Sequence, residues 1–274
     1  MRKKLLMLGL LVTSGALYAE TPASQVPAAN QAFQEFDNQF YLGYGASYGS
    51  LRNAYGQTTN YGTTNLALGV ERLFDMGLWL RFDAQLMTGY SNFNSTNPNA
   101  GTGPLGQNPS VANLNLKAGY GFIPAATSGH LMLTPYVLLG RNTNLTTNSL
   151  QNAENVGSNG LNNLSTNVTQ NYFLTGGIGG RIEYRLDKIA LFYFDQNAVY
   201  NYDNSAVRSG LTSASNYQAT STLGAKVNIW RELQLGASGF YTYNQLSGSM
   251  ATAQQYQLYP QNQVGIMATV GLTY

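Results

Sequence analysis

The feature that most constrains this chain is a strict alternation of apolar side chains, repeated in segment after segment. From Phe40 to Gly49, the residues Phe40, Leu42, Tyr44, Ala46 and Tyr48 share one face, and Tyr41, Gly43, Gly45, Ser47 and Gly49 share the other. Period-two patterning is the mark of a strand with two unlike faces. Eight further segments repeat it, and a ninth is strand-like. Leu66, Leu68 and Val70 oppose Asn65, Gly69 and Glu71, while Leu78, Leu80, Phe82, Ala84 and Leu86 oppose Trp79, Arg81, Asp83 and Gln85. Leu114, Leu116, Ala118 and Tyr120 oppose Asn113, Asn115, Lys117 and Gly119. Leu131 to Gly140 is strand-like, but Pro135 and a mixed pattern leave its facing open.

The second half continues the theme. Tyr172, Leu174, Ile178, Ile182 and Tyr184 oppose Thr175, Gly177, Arg181 and Glu183; Phe192, Phe194, Ala198 and Tyr200 oppose Tyr193, Asp195 and Asn197. Leu223, Ala225, Val227 and Ile229 oppose Gly224, Lys226 and Asn228, and Leu233, Leu235, Ala237, Tyr241 and Tyr243 oppose Gln234, Ser238 and Thr242. The last segment sets Val264, Ile266, Ala268, Val270, Leu272 and Tyr274 against Gly265, Thr269, Gly271 and Thr273.

Connections alternate between tight turns, such as Asp75-Met76-Gly77 and Leu186-Asp187-Lys188, and long polar stretches at 51–62, 91–110, 142–169, 203–215 and 247–259. No segment of the mature chain approaches eighteen consecutive apolar residues, so spanning helices are absent, whereas strands of about nine to eleven residues cross a bilayer. Charged residues make up only 9%, against about 25% in soluble domains. These features together predict an all-β fold: a closed antiparallel up-and-down transmembrane β-barrel of about ten strands, with eight as the alternative.

Before the strands, Arg2, Lys3 and Lys4, the apolar run Leu5 to Val12 and the small residues Ser14 to Ala19 read as a secretory signal peptide over residues 1–19, cut after Ala19 or, alternatively, after Ala16. No Cys follows, which excludes a lipid anchor through that residue. Losing three of the fourteen bases leaves eleven against twelve acids, a net of −1, and no basic excess for nucleic acid. Residues 20–38, polar with Pro22 and Pro27, are expected to form a flexible periplasmic extension, with an inner plug as the alternative; the barrel is expected over 39–274.

The end of the chain, with apolar residues at Ile266, Ala268, Val270 and Leu272 and a terminal aromatic at Tyr274, resembles the C-terminal insertion signal of bacterial outer-membrane barrels. From about residue 39 onward the chain resembles the small OmpA-like, OmpX-like and opacity-type barrels. Those families mostly have eight strands. The resemblance implies location in the outer membrane of a Gram-negative envelope, assembly by the barrel machinery, and contact with outer-membrane lipid and lipopolysaccharide. It also implies polar loops that meet surface ligands or host molecules.

Chemistry is sparse. Barrel proteases, phospholipases and deacylases need an imidazole. The single His130 falls in a short turn, at the end opposite the long loops where such sites lie. Gly176-Gly177-Ile178-Gly179-Gly180 lacks the Lys and Ser/Thr of a phosphate loop. No metal-ligand spacing occurs, so no catalytic residue, metal or cofactor is assigned. The informative set is the charges on the inward face: Glu71, Arg81, Asp83, Lys117, Arg181, Glu183, Asp195 and Lys226. Four acids and four bases in a confined space imply pairing. The expected function is a non-enzymatic outer-membrane barrel serving envelope structure or surface interaction. A narrow porin-like channel is the alternative, and an outer-membrane hydrolase a remote one.

Overall fold

The computed structural model describes residues 26–52, 58–92, 110–148, 167–203, 215–230, 232–247 and 259–274. Among the described residues an α-helix, α1 (Val26–Asp37), leads into ten strands, with a 3-10 turn at Ala125–Thr127 between the fourth and fifth: β1 (Gln39–Arg52), β2 (Thr58–Leu73), β3 (Leu78–Asn92), β4 (Ser110–Tyr120), β5 (Leu131–Asn148), β6 (Asn167–Leu186), β7 (Ala190–Asp203), β8 (Ser215–Trp230), β9 (Leu233–Ser247) and β10 (Tyr259–Thr273). Each strand pairs antiparallel with its sequence neighbours, and β1 pairs with β10, so the sheet is a closed barrel without edges. The count is ten.

The alternation sets the facing. Leu42 sits opposite Leu68 on β2 and Val270 on β10, so apolar positions line up on the outer face. There Leu42, Ile178 and Ile266 are 63%, 68% and 69% exposed. Around the ring they join Leu68, Leu116, Val137, Leu139, Leu223 and Val270 in one apolar band. Aromatics flank it: Phe40, Tyr120, Tyr184, Trp230 and Tyr274 toward the short turns, and Tyr48, Tyr200, Tyr217, Tyr241 and Tyr243 toward the long connections. A continuous apolar surface of this kind is unstable in water and is stable against hydrocarbon, with the rings at the two interfaces.

Three expectations are refined or corrected. First, β5 turns Met132, Thr134, Tyr136 and Leu138 inward, and leaves Pro135, Val137 and Leu139 outside. Phe122 and Leu133 exchange both backbone bonds at 2.9 Å. The next narrow pair would need an N–H from Pro135, which has none, so the regular β4–β5 ladder begins at Gly119↔Tyr136. Second, the long connections are shorter than their polarity implied. β5 and β6 stay paired out to Asn148↔Asn167, and β1 and β2 out to Arg52↔Thr58, because backbone pairing does not require an apolar face once the strands leave the band.

Third, the segment expected to be a flexible extension over 20–38 is helical from Val26 to Asp37. Phe33, Phe36 and Asp37 on this helix are fully buried. Phe33 and Phe36 pack in one cluster with Leu73, Trp79, Met132 and Leu191 at the short-turn end of the barrel. Two aromatics three residues apart lie on one helical face, which gives the helix something to bury. The signal-peptide segment lies outside the described residues.

Candidate functional site

The eight inward charges enter the barrel from β2, β3, β4, β6, β7 and β8, and every one has an ionic partner at 4.0 Å or closer. Glu71 is the hub. Its carboxylate lies 2.7 Å from Arg181 Nη1, 2.9 Å from Lys226 Nζ and 3.8 Å from Arg81 Nη1. It also accepts from Trp79 Nε1 and Gln39 Nε2, each at 3.0 Å. Arg181 continues to Glu183 at 2.5 Å. On a separate arc Lys117 donates to Asp195 at 3.2 Å, and the Tyr136 hydroxyl donates to the other Asp195 oxygen at 2.5 Å. Arg81 Nε donates to Asp83 at 2.9 Å, Tyr41 hydrogen-bonds the same carboxylate, and Arg81 Nη2 reaches the Tyr41 hydroxyl at 3.0 Å.

One member escaped the sequence reading. Asp37, at the end of α1, lies 2.8 Å from Lys226 Nζ and 3.6 Å from Arg181. Lys226 also donates to the Phe36 carbonyl at 3.2 Å, and Gln234 Nε2 reaches the same oxygen at 3.4 Å. These bonds take up a carbonyl at the helix C-terminus, where cations are favoured. At the rim Gln34 donates to Asp75 in the β2–β3 turn at 2.8 Å, and Glu35 lies 4.0 Å from Lys188 in the β6–β7 turn. Asn38 ties the closing seam: its side chain accepts from Leu73 N at 2.7 Å and its carbonyl from Tyr274 N at 3.1 Å. The helix therefore spans the short-turn mouth and is bound to several strands. Its signal in the sequence was Phe33 and Phe36, three apart in a polar stretch and followed by Asp37.

Inward glycines make room for the network. Tyr41 is register-paired with Gly69, Tyr136 with Gly179, and Tyr193 with Gly224. A Cβ on any of the three glycines would overlap the facing Tyr side chain. The tyrosines thus lie flat across the neighbouring strand, as large side chains do over glycine in a sheet. The Arg181 guanidinium sits over Tyr193, 4.6 Å from the ring centroid, and 5.7 Å from that of Trp79.

Burial divides the interior. Toward the short turns, Glu71, Arg181, Glu183 and Trp79 have at most 1% of their surface exposed. On β3 the inward side chains of Arg81, register-paired with Glu71, and of Asp83, two residues further from the short turns, keep 18% and 20%. Above them the inward wall holds Ser47, Thr63, Asn65, Thr175, Thr242 and Asn244. β5 and β10, on opposite sides of the ring, approach within 8 Å between Cα atoms.

His130 lies in the β4–β5 turn, with Nδ1 3.0 Å from the Arg185 carbonyl and its ring stacked 6.2 Å from that of Tyr184. Gly176–Gly180 lies within β6, not in a loop before a helix. Among the described residues no His/Cys/Asp/Glu group could hold a metal. Ile266, Ala268, Val270 and Leu272 face outward on β10, and Tyr274, just past its end, is exposed as well.

The sequence matches no protein-family model and no curated protein. Among solved structures, the β domain of the Bordetella autotransporter BrkA is similar at a TM-score of 0.51 and 11% identity, over 87% of this chain and 100% of that one. The transport unit of the autotransporter AIDA-I from Escherichia coli is found at 0.46 and 12%, over 92% and 97% of the two chains. The outer membrane protease OmpT from Escherichia coli is found at 0.42 and 8%, over 87% and 98%. At 11% identity the BrkA likeness bears on the fold alone, and with the closed ten-stranded ring, the apolar band and the aromatic girdles it places the chain in one architecture: it has the fold of the bacterial outer-membrane β-barrels.

Proposed function

We propose that this protein is a non-enzymatic outer-membrane barrel whose lumen is sealed at the short-turn end, serving envelope structure and presenting its long connections at the cell surface. The observation that carries this reading is the seal itself. α1 lies across the mouth, and the Glu71–Arg181–Lys226–Asp37 network behind it joins β2, β6, β8 and the helix through the interior. The approach of β5 to β10 within 8 Å adds to it, since packed sheets stand about 10 Å apart with only side chains between them. On this reading residues 1–19 direct export and are removed near Ala19. The short turns and α1 face the periplasm, and β10 with Tyr274 is what the assembly machinery recognises. The partners are outer-membrane lipid and lipopolysaccharide, with surface ligands or host molecules at the loops.

The alternative, a narrow porin-like channel, draws on the partial exposure of Arg81 and Asp83 inside the barrel. Purified protein in a planar lipid bilayer separates the two. The sealed barrel gives no steady conductance steps in molar potassium chloride; regular steps from the intact protein would refute it in favour of the channel.

A further inference from the structure

On β7 the outward run Phe192, Phe194, Ala198 and Tyr200 is interrupted by a polar residue, Gln196, and its side chain is exposed. Tyr200 belongs to the girdle toward the long connections, so Gln196, four residues before it, lies about 13 Å along the strand inside the band. Its register partners are Gly180 on β6 and Ser221 on β8. Gly180 is in turn four residues from Tyr184 of the opposite girdle. The rows on either side are Ile178, Ala198 and Ala219, and Ile182, Phe194 and Leu223. Gln196 is therefore an amide set among apolar side chains at membrane depth. It carries two donors and an acceptor. The Ser221 hydroxyl can meet part of that demand, and hydrocarbon meets none of it. A polar group without partners in hydrocarbon is costly.

A partner for this amide has to lie at the same depth. Acyl chains have no hydrogen-bonding group, and lipid headgroups stay at the level of the girdles. A second copy of this chain brings its own Gln196 to the same depth, because rotation about the membrane normal leaves depth unchanged. One amide is also complementary to another, donor to acceptor and acceptor to donor. The surface permits the approach. A Cβ on Gly180 would meet nothing within 4 Å, which leaves an open notch beside Gln196, and Ala198, Ala219 and Ser221 are small. Between membrane-embedded segments apolar burial gives no net drive, so close packing over small residues and interchain hydrogen bonds decide association. We propose that the outer face of β6 to β8 is a homodimer contact, in which the Gln196 amides of two copies hydrogen-bond across a two-fold axis along the membrane normal. Ile178 and Leu223 lie on opposite sides of Gln196, so the axis sets Ile178 of each copy against Leu223 of the other. The contact uses only the outer face and is independent of whether the lumen is sealed.

The chain contains no cysteine, so a single Cys placed on the outer face reports its neighbours without background. Ala198→Cys protein, folded into phosphatidylcholine liposomes and treated with a short bifunctional maleimide, should give a covalent dimer. Leu68→Cys on β2, across the ring from β7, should not. Gln196→Leu changes a side chain that faces lipid and spares the interior. In the Ala198→Cys background it should raise the dimer dissociation constant about five- to thirtyfold, read from cross-linking at graded protein-to-lipid ratios, the worth of one hydrogen bond between membrane-embedded segments. Cross-linking of Ala198→Cys no greater than that of Leu68→Cys overturns the proposal and leaves a monomer. Equal dimerisation with and without Gln196 overturns it as well, since the copies would then associate through some other contact. Should Ala198→Cys fail to assemble, Ala219→Cys on the adjoining strand takes its place. The sealed-barrel reading fails separately, on conductance.

Discussion

Replacing Arg181 with Met tests whether the buried network holds the barrel together. The guanidinium is fully buried, 2.7 Å from Glu71, 2.5 Å from Glu183 and 3.6 Å from Asp37. Its removal does not strand these acids equally. Glu71 keeps Lys226 at 2.9 Å and the Trp79 and Gln39 donors, and Asp37 keeps Lys226 at 2.8 Å. Glu183 keeps nothing comparable: Arg181 is its ion-pair partner, and neither carboxylate oxygen has a hydrogen bond. Breaking a buried pair by removing one member costs about 3–5 kcal/mol, and here most of that falls on Glu183. Arg181→Met should therefore lower unfolding stability by about 3–5 kcal/mol. Adding Glu183→Gln should recover a large part, a coupling of about 1–3 kcal/mol in the double-mutant cycle. Urea unfolding of lipid-reconstituted protein gives the numbers. Trp79 is a local reporter, because its Nε1 donates to Glu71 and its ring lies beside Arg181. A loss below about 1 kcal/mol, the worth of an exposed pair, together with no coupling to Glu183, would refute the argument.

Phe36→Ala removes a fully buried ring from the α1 seat and should weaken helix docking by about 3–5 kcal/mol; protease added on the short-turn side should then cut within 26–37, and continued protection would mean that the aromatic seat is dispensable. Gly224→Ala forces the Tyr193 ring to move and should cost about 1–3 kcal/mol, partly restored by Tyr193→Leu; an equal loss in both backgrounds would show that the ring does not limit the site. Deleting Leu272 to Tyr274 removes outward apolar residues of β10 and the bond from Tyr274 N to Asn38; the truncated chain should remain periplasmic and be degraded, which cell fractionation reads, and normal membrane assembly would contradict it. A tag inserted after Asn155, between β5 and β6, should be labelled on intact cells; labelling only after outer-membrane rupture would mean that the barrel is oriented the other way.

Much of this molecule is local and so was legible in the chain. A side-chain period of two, sustained from Phe40 to Tyr274, determines strands and their facing, because a one-residue slip would carry Arg81 or Arg181 into hydrocarbon at about 2–4 kcal/mol each near the midplane. The inward charges follow from the same rule, with no knowledge of their partners. Where the pattern was broken, at Pro135, facing stayed open until neighbouring strands set it. Three matters were decided only by the closed ring. Glu71 and Arg181 are 110 residues apart, and which acid meets which base depends on strand tilt and register around the circumference, which no local pattern encodes. The tyrosines that cover Gly69, Gly179 and Gly224 are likewise matched across strands and not along them. The helix is the clearest case. Val26–Asp37 is too short and too polar to be stable alone in water, and its sequence reads as an extension. It becomes a helix because the finished barrel offers an apolar seat for Phe33 and Phe36, and Lys226 and Arg181 for Asp37; that surface exists only after β10 has closed on β1.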